Sequence, residues 1–111
     1  NFLIKNKFSK KSVLISCGGG VIGDICGLAT SLYLRGMIHY HIPTTMTAIV
    51  DSCIGGKTAI NYKGIINSFG NYYHPKLIFI FDRILNKISN LPFYMNEVLT
   101  IDNFKKIREA L

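Results

Sequence analysis

Ser12-Val13-Leu14-Ile15-Ser16-Cys17-Gly18-Gly19-Gly20 is the stretch on which the reading of this 111-residue chain turns. A short apolar run closed by three glycines is the pattern of a buried strand that ends in a glycine turn. Outward from it, Ile25, Leu28, Ala29 and Leu32 recur at helical spacing through Leu34. Arg35-Gly36 then closes the segment with a cation and a C-terminal glycine. Met37-Ile38-His39-Tyr40-His41-Ile42 predicts a second strand, stopped by Pro43, and Thr44 or Thr45 can cap a short helix running to about Val50. Asp51 to Gly70, rich in Gly, Asn and Ser, reads as a long loop or interrupted helix, and long loops inside compact domains are commonly functional. Leu77 to Phe81 is a third apolar run of strand length, ending in Asp82. Strand, glycine turn, helix, strand, helix, strand predicts an α/β fold with a mostly parallel sheet. That domain occupies residues 1–82, and a helical tail, amphipathic over Asn103 to Leu111, occupies 83–111.

Composition narrows the function classes. Hydrophobic residues make up 49% of the chain and charged residues 17%, which excludes a disordered segment and fits one domain. No apolar run reaches the roughly 18 residues of a membrane helix, so no membrane partner is expected. The net charge of +7 comes from 13 Lys and Arg against 6 Asp and Glu. The cations gather at Lys5, Lys7, Lys10 and Lys11 and again at Lys105, Lys106 and Arg108, without an Arg-rich or aromatic-interleaved stripe. This pattern argues against nucleic acid and for attraction of small anions. Cys17, Cys26 and Cys53 are odd in number and form no CxxC pair, which points to a reduced, cytoplasmic protein. Lys5, Asn6 and Lys7 break the opening apolar residues too early for a signal peptide, and a first residue other than Met suggests an excerpt of something longer.

The first 81 residues carry only two carboxylates, Asp24 and Asp51, each beside a glycine-rich or loop segment. Asp24 in the first helical turn would be favoured by the helix dipole with no further role. Gly18 to Asp24 places backbone N–H groups at a helix N-terminus, where a pyrophosphate could approach closely. The spacing is not GxGxxG, and a tight turn without ligand accounts for it equally well. Gly55-Gly56-Lys57-Thr58 has the ending of a phosphate loop, but Asp51 stands where the loop's first glycine belongs. With no strand before it either, an NTPase is excluded. Lys57 remains a candidate anion ligand, being the only cation between Arg35 and Lys63. His39 and His41 alternate along one strand and so share a face. Two histidines make an incomplete metal site, and a structural role is the simpler reading. His74 is uninformative alone.

In combination the motifs are specific. Gly18-Gly19-Gly20-Val21-Ile22-Gly23-Asp24, Tyr33-Leu34-Arg35-Gly36, Ile42-Pro43-Thr44-Thr45, Val50-Asp51-Ser52, Gly55-Gly56-Lys57-Thr58, Asn61, and Gly70 with Tyr73 and Pro75 occur in order. Together they resemble 3-dehydroquinate synthase, within the wider sugar-phosphate cyclase group, over Ser12 to Asp82. The resemblance implies a Rossmann-like domain and conversion of a phosphorylated seven-carbon sugar acid to 3-dehydroquinate, a step of the shikimate route to aromatic amino acids. It also implies NAD as oxidant, zinc or another divalent metal as Lewis acid, and a homodimer in the full-length family. Gly20, Val21, Ile22, Gly23 and Asp24 would hold the NAD pyrophosphate, with Thr44 and Thr45 touching the same cofactor. Arg35, Asp51, Lys57 and Asn67 would serve substrate and nicotinamide, Lys57 contributing to both ligands. Cations suit an anionic substrate that loses phosphate.

The sequence departs from the family in two places. A Lys normally precedes the Asn that corresponds to Asn67; here it is Ile66. The family's metal ligands are a Glu after a Leu-Pro and two later His in a C-terminal helical domain. Leu91-Pro92 and Glu97 echo the first at too short a spacing, and no His follows His74. The metal ligands and the family's first strands are therefore expected to be missing, leaving a partial NAD-binding-like domain. Three readings follow: an excerpt of a dehydroquinate synthase, inactive alone; a non-catalytic NAD- or anion-binding remnant, or a related cyclase; and a degraded copy without ligand.

Overall fold

A computed structural model describes residues 1–83. In chain order these form α1 (Phe2–Lys5), β1 (Val13–Gly18), α2 (Gly20–Leu32), a 3-10 turn (Tyr33–Arg35) and β2 (Ile38–Pro43). A π-helical turn (Ala48–Ser52) then runs into α3 (Cys53–Gly55), followed by β3 (Lys57–Tyr62), β4 (Ile65–Tyr72) and β5 (Leu77–Ile78). The helical tail expected over 83–111 and Glu97 lie outside the described residues, save Arg83. The α/β fold is as expected: β1, β2 and β5 form a parallel sheet in the order β1-β2-β5. Ile15 pairs with Tyr40, and Tyr40 with Leu77. The last strand is shorter than its apolar run. Phe79 to Phe81 leave the ladder, although the Phe79 N–H still donates to the His41 carbonyl at 2.9 Å.

The segment read as a long loop or interrupted helix from Asp51 to Gly70 starts in a helical turn but continues as an antiparallel hairpin, β3 with β4. Its two-residue turn is Lys63-Gly64, both at positive φ (48° and 80°), the left-handed pair that matches hairpin twist. Every residue of β4 is exposed, so no buried alternation marks it as a strand. The helix after the glycine turn stops at Leu32 rather than Leu34. Leu34 and Arg35 take left-handed φ values of 51° and 64°, and Gly36 reverses the chain at 113°. Asp24 falls in the second turn of α2, not the first, so the dipole gives it little.

Two glycines set how closely α2 approaches its neighbours. A Cβ on Gly23 would sit 2.3 Å from Cε1 of His41, and one on Gly27 would sit 2.4 Å from Cγ2 of Thr58. The helix is thereby pressed onto β2 at one point and onto β3 at the other. His39 and His41 do share a face: both are buried, with ring centroids 6.0 Å apart in a stacked arrangement. Ser16 Oγ pairs with His39 Nε2 at 2.8 Å, but His39 Nδ1 and His41 Nε2 are buried without a partner. They are structural histidines, though only half satisfied.

Burial, reinforced by His41, holds the His39 pKa down at about 4. Burial also lowers His41, against an opposing hydrogen bond from its ring to the Gly18 backbone. Both rings are therefore neutral in the fold at pH 7. An unfolded His binds its proton near pH 6.5, so stability is full above that value and is lost as pH falls towards 4. The loss for His39 is expected to be on the order of 2–3 kcal/mol, and His39→Gln should flatten the dependence in urea titrations at pH 7 and 4.5. Gly23→Ala should cost about 1–3 kcal/mol by overpacking against His41. Gly55→Ala, whose Cβ would meet nothing within 4 Å, should be near neutral in the same assay.

Candidate functional site

The carboxyl ends of β1 and β2 lie side by side, Gly18 opposite Pro43. In open α/β sheets this edge is where ligands bind. The Thr44 N–H donates to the Gly18 carbonyl at 2.9 Å, tying the two following loops together. Gly19 is the N-cap of α2 in an extended conformation, and no side chain caps the helix. The first-turn N–H groups are thus left without a side-chain acceptor. A Cβ on Gly19 would come 3.1 Å from Thr45 Cγ2, and one on Gly20 would come 3.3 Å from Ser52 Oγ. The glycines let the turn close onto Thr45 and Ser52, and the same closeness keeps the helix end bare.

Thr45 Oγ1 accepts the Ala48 N–H at 3.2 Å and starts the turn that delivers Asp51. Gly56, at φ 68°, then reverses the chain so that Lys57 opens β3. The ring of His74 occupies the space beside Gly56, where a Cβ would meet it at 2.3 Å. The Tyr73 N–H donates to the Gly56 carbonyl at 2.7 Å. From β4, Asn67 enters at φ 51°, its N–H held by Asn61 Oδ1 at 2.8 Å. These elements enclose a cavity of about 280 Å³ lined by Asp24, Asp51, Ser52, Gly55, Lys57 and Asn67. Asp24, Lys57 and Asn67 also line a polar cavity of about 470 Å³ along the hairpin.

Burial and the nearby Asp51 raise the Asp24 pKa, so Asp24 takes up a proton more readily than an ordinary aspartate. Lys57 is the one cation lining either cavity among the described residues. The cleft thus offers an ammonium and an amide to an anion, backbone N–H groups at α2, and a carboxyl pair for hydrogen bonding to hydroxyls. Cys53 is inert: it is buried, donates from Sγ to the Ile49 carbonyl at 3.1 Å, and burial pushes its pKa to about 12.

Of the residues nominated from sequence, Asp24, Asp51, Lys57 and Asn67 come together in one cavity. Gly20, Thr44 and Thr45 stand at the glycine turn beside it, Val21 and Ile22 are exposed on α2, and Gly23 faces His41. Arg35 is exposed at the opposite end of α2 and lines neither cavity. Ser52 was not nominated, yet its hydroxyl is buried and unpartnered at this cavity; its place directly after Asp51 was the available signal. Among the described residues no group of three or more His, Cys, Asp or Glu could hold a metal ion.

The carboxyl pair gives a direct check. Asp51→Asn should lower the Asp24 pKa, read by carboxyl-detected NMR titration; an unchanged Asp24 would show that burial alone shifts it.

A family model described as "3-dehydroquinate synthase N-terminal" matches residues 1–94. The 3-dehydroquinate synthase of Clostridium tetani is 43% identical over 89 residues, covering 80% of this chain and 24% of the relative. That of Alkaliphilus oremlandii is 46% identical over 90 residues, covering 81% and 24%. The chain therefore spans about a quarter of the length of these relatives. Among solved structures, 2-deoxy-scyllo-inosose synthase complexed with carbaglucose-6-phosphate, NAD+ and Co2+ superposes with a TM-score of 0.74 at 32% identity, covering 78% of this chain and 24% of that one. ValA, a 2-epi-5-epi-valiolone synthase from Streptomyces hygroscopicus with NAD+ and Zn2+ bound, gives 0.72 at 33% identity, again covering 78% and 24%.

Proposed function

The chain belongs to the 3-dehydroquinate synthase N-terminal family, and on that premise we propose that its glycine turn and the adjoining cleft bind NAD as part of a 3-dehydroquinate synthase. The observation that carries this reading is the convergence of Asp24, Asp51, Lys57 and Asn67 on one cavity beside an uncapped helix N-terminus. The bare first turn of α2 fits a pyrophosphate: its N–H groups have no side-chain acceptor and Gly19 and Gly20 carry no Cβ to hold the phosphates off. Thr44 and Thr45 border the same turn. Bound there, NAD would supply a hydride acceptor for oxidation of a substrate hydroxyl.

The chain's own residues then have defined tasks. Lys57 and Asn67 anchor the anionic groups of a phosphorylated sugar acid. Asp51 and Asp24 hold its hydroxyls and orient them, the raised Asp24 pKa favouring a carboxyl that can also donate. Ile66 supplies no charge at a position next to Asn67. Arg35, remote from the cavity, has no task within it in a single copy of the chain; homodimerisation is part of the family reading.

The described residues do not fit a divalent metal, and no step is derived through one. The 111-residue chain is read as an NAD- and anion-binding piece of such an enzyme. A related cyclase specificity is the alternative, supported by the likeness to 2-deoxy-scyllo-inosose synthase. No described helix is long and apolar enough to cross a membrane.

Calorimetry on the 111-residue chain should show NAD binding no tighter than roughly 100 µM, because only part of a dinucleotide site is on hand. Gly19→Val should weaken it at least tenfold while a thermal melt confirms the fold. Nanomolar affinity, or a Gly19→Val variant that binds equally well, contradicts the assignment. No release of phosphate from the sugar-acid phosphate is expected with NAD and zinc added.

A further inference from the structure

A third cavity, of about 330 Å³, shares Asp24 and Asn67 with the cleft but has a different character. Its walls are Val21 and Ile25 from α2, Ala59 and Ile60 from β3, and Ile66 from β4. Val21 and Ile25 are four residues apart and lie on one face of the helix. Val21 is 72% exposed and Ile66 75%, so both present apolar surface that nothing in the described fold covers. Three separate elements aim branched aliphatic side chains at one space, and its polar rim is Asn61, Asn67 and Asp24. Lys57 does not line this cavity but lines both of the others with Asp24 and Asn67, and it is the one cation among the described residues that line any of the three.

An apolar pocket that shares an amide and a carboxyl of raised pKa with the cavity of the one ammonium is complementary to an anion with an apolar body. A sugar whose hydroxyls faced Ile60 and Ile66 would leave them unpaired, whereas an aromatic or aliphatic group would leave nothing unsatisfied there. We propose that this chain's cleft accepts phosphate esters with an apolar organic body, the phosphate at Lys57 and Asn67 and the body against Val21, Ile25 and Ile66, and that Ile66 sets this preference. The inference rests on the reading of Lys57 and Asn67 as the anion end of the site, and it extends what that site admits beyond a sugar-acid phosphate.

Ile66 is exposed on β4, so its replacement leaves the packed face of α2 untouched and the variant folds. The test is calorimetry on the 111-residue chain with phenyl phosphate and with inorganic phosphate, for the unaltered chain, Ile66→Lys and Lys57→Gln. Phenyl phosphate should bind about tenfold tighter than inorganic phosphate, the gain from covering roughly 60 Å² of apolar surface. Ile66→Lys should bring the two within threefold of one another, chiefly by weakening phenyl phosphate, and Lys57→Gln should weaken both. Equal affinities in the unaltered chain, or a preference that survives Ile66→Lys, overturns the proposal while leaving the anion end intact. Phosphate binding that ignores Lys57→Gln, or no binding of either compound, overturns the anion end and the proposal with it. NAD binding is measured separately, since Lys57 is read as contributing to both ligands.

Discussion

The missing Cβ of Gly23 is the constraint from which the architecture follows. It lets the backbone of α2 lie against the His41 imidazole at a distance that no side chain would permit. The parallel sheet needs a covered face, and this contact provides it with a helix whose amino end falls at the carboxyl edge of β1 and β2. Four residues further on, the same device at Gly27 draws β3 in through Thr58. The hairpin carries Lys57 and Asn67, so the spacing of two glycines on one helix face fixes where the cleft's cation and amide stand relative to Asp24. The cost is a stacked pair of buried imidazoles with one unpaired nitrogen each, tolerable only while both are neutral.

What could be read from the residues divides along the same physical lines. β1, α2 and β2 are written in apolar runs and helical spacing whose order implies a parallel sheet, but of Ile25, Leu28, Ala29 and Leu32 only Leu28 is buried, and the packed face of α2 carries Gly23, Gly27, Thr30 and Ser31. The hairpin is not written that way. β4 has no buried residue, and its turn is Lys63-Gly64 rather than the Asn-Gly pair that announces such loops. The end of α2 was misjudged because Leu34 and Arg35 adopt left-handed φ without being glycine or asparagine, a choice that tertiary structure imposes and local sequence does not signal.

Asp24, Asp51 and Lys57 stand out by rarity of charge and by ordered motifs, Asn67 only by the family resemblance, and the fold brings all four to one cavity. Arg35, nominated on the same grounds, is at the other end of α2, since motif order carries no information about distance. Ser52 escaped notice because a serine beside an aspartate is unremarkable until its hydroxyl is seen to be buried and unpaired beside the glycine turn. The matched segment is about a quarter of the length of these relatives, and among the described residues no group of three or more His, Cys, Asp or Glu could hold a metal ion.

The central claim is that the carboxyl edge of the sheet, from the glycine turn to Lys57 and Asn67, is a dinucleotide site. Amide-resolved NMR during an NAD titration tests it most directly. The account predicts saturable shifts concentrated at Gly18 to Asp24, Thr44, Thr45, Asp51 to Lys57 and Asn67. Shifts confined to the opposite edge around Arg35 and Met37, or none at millimolar NAD, would contradict it.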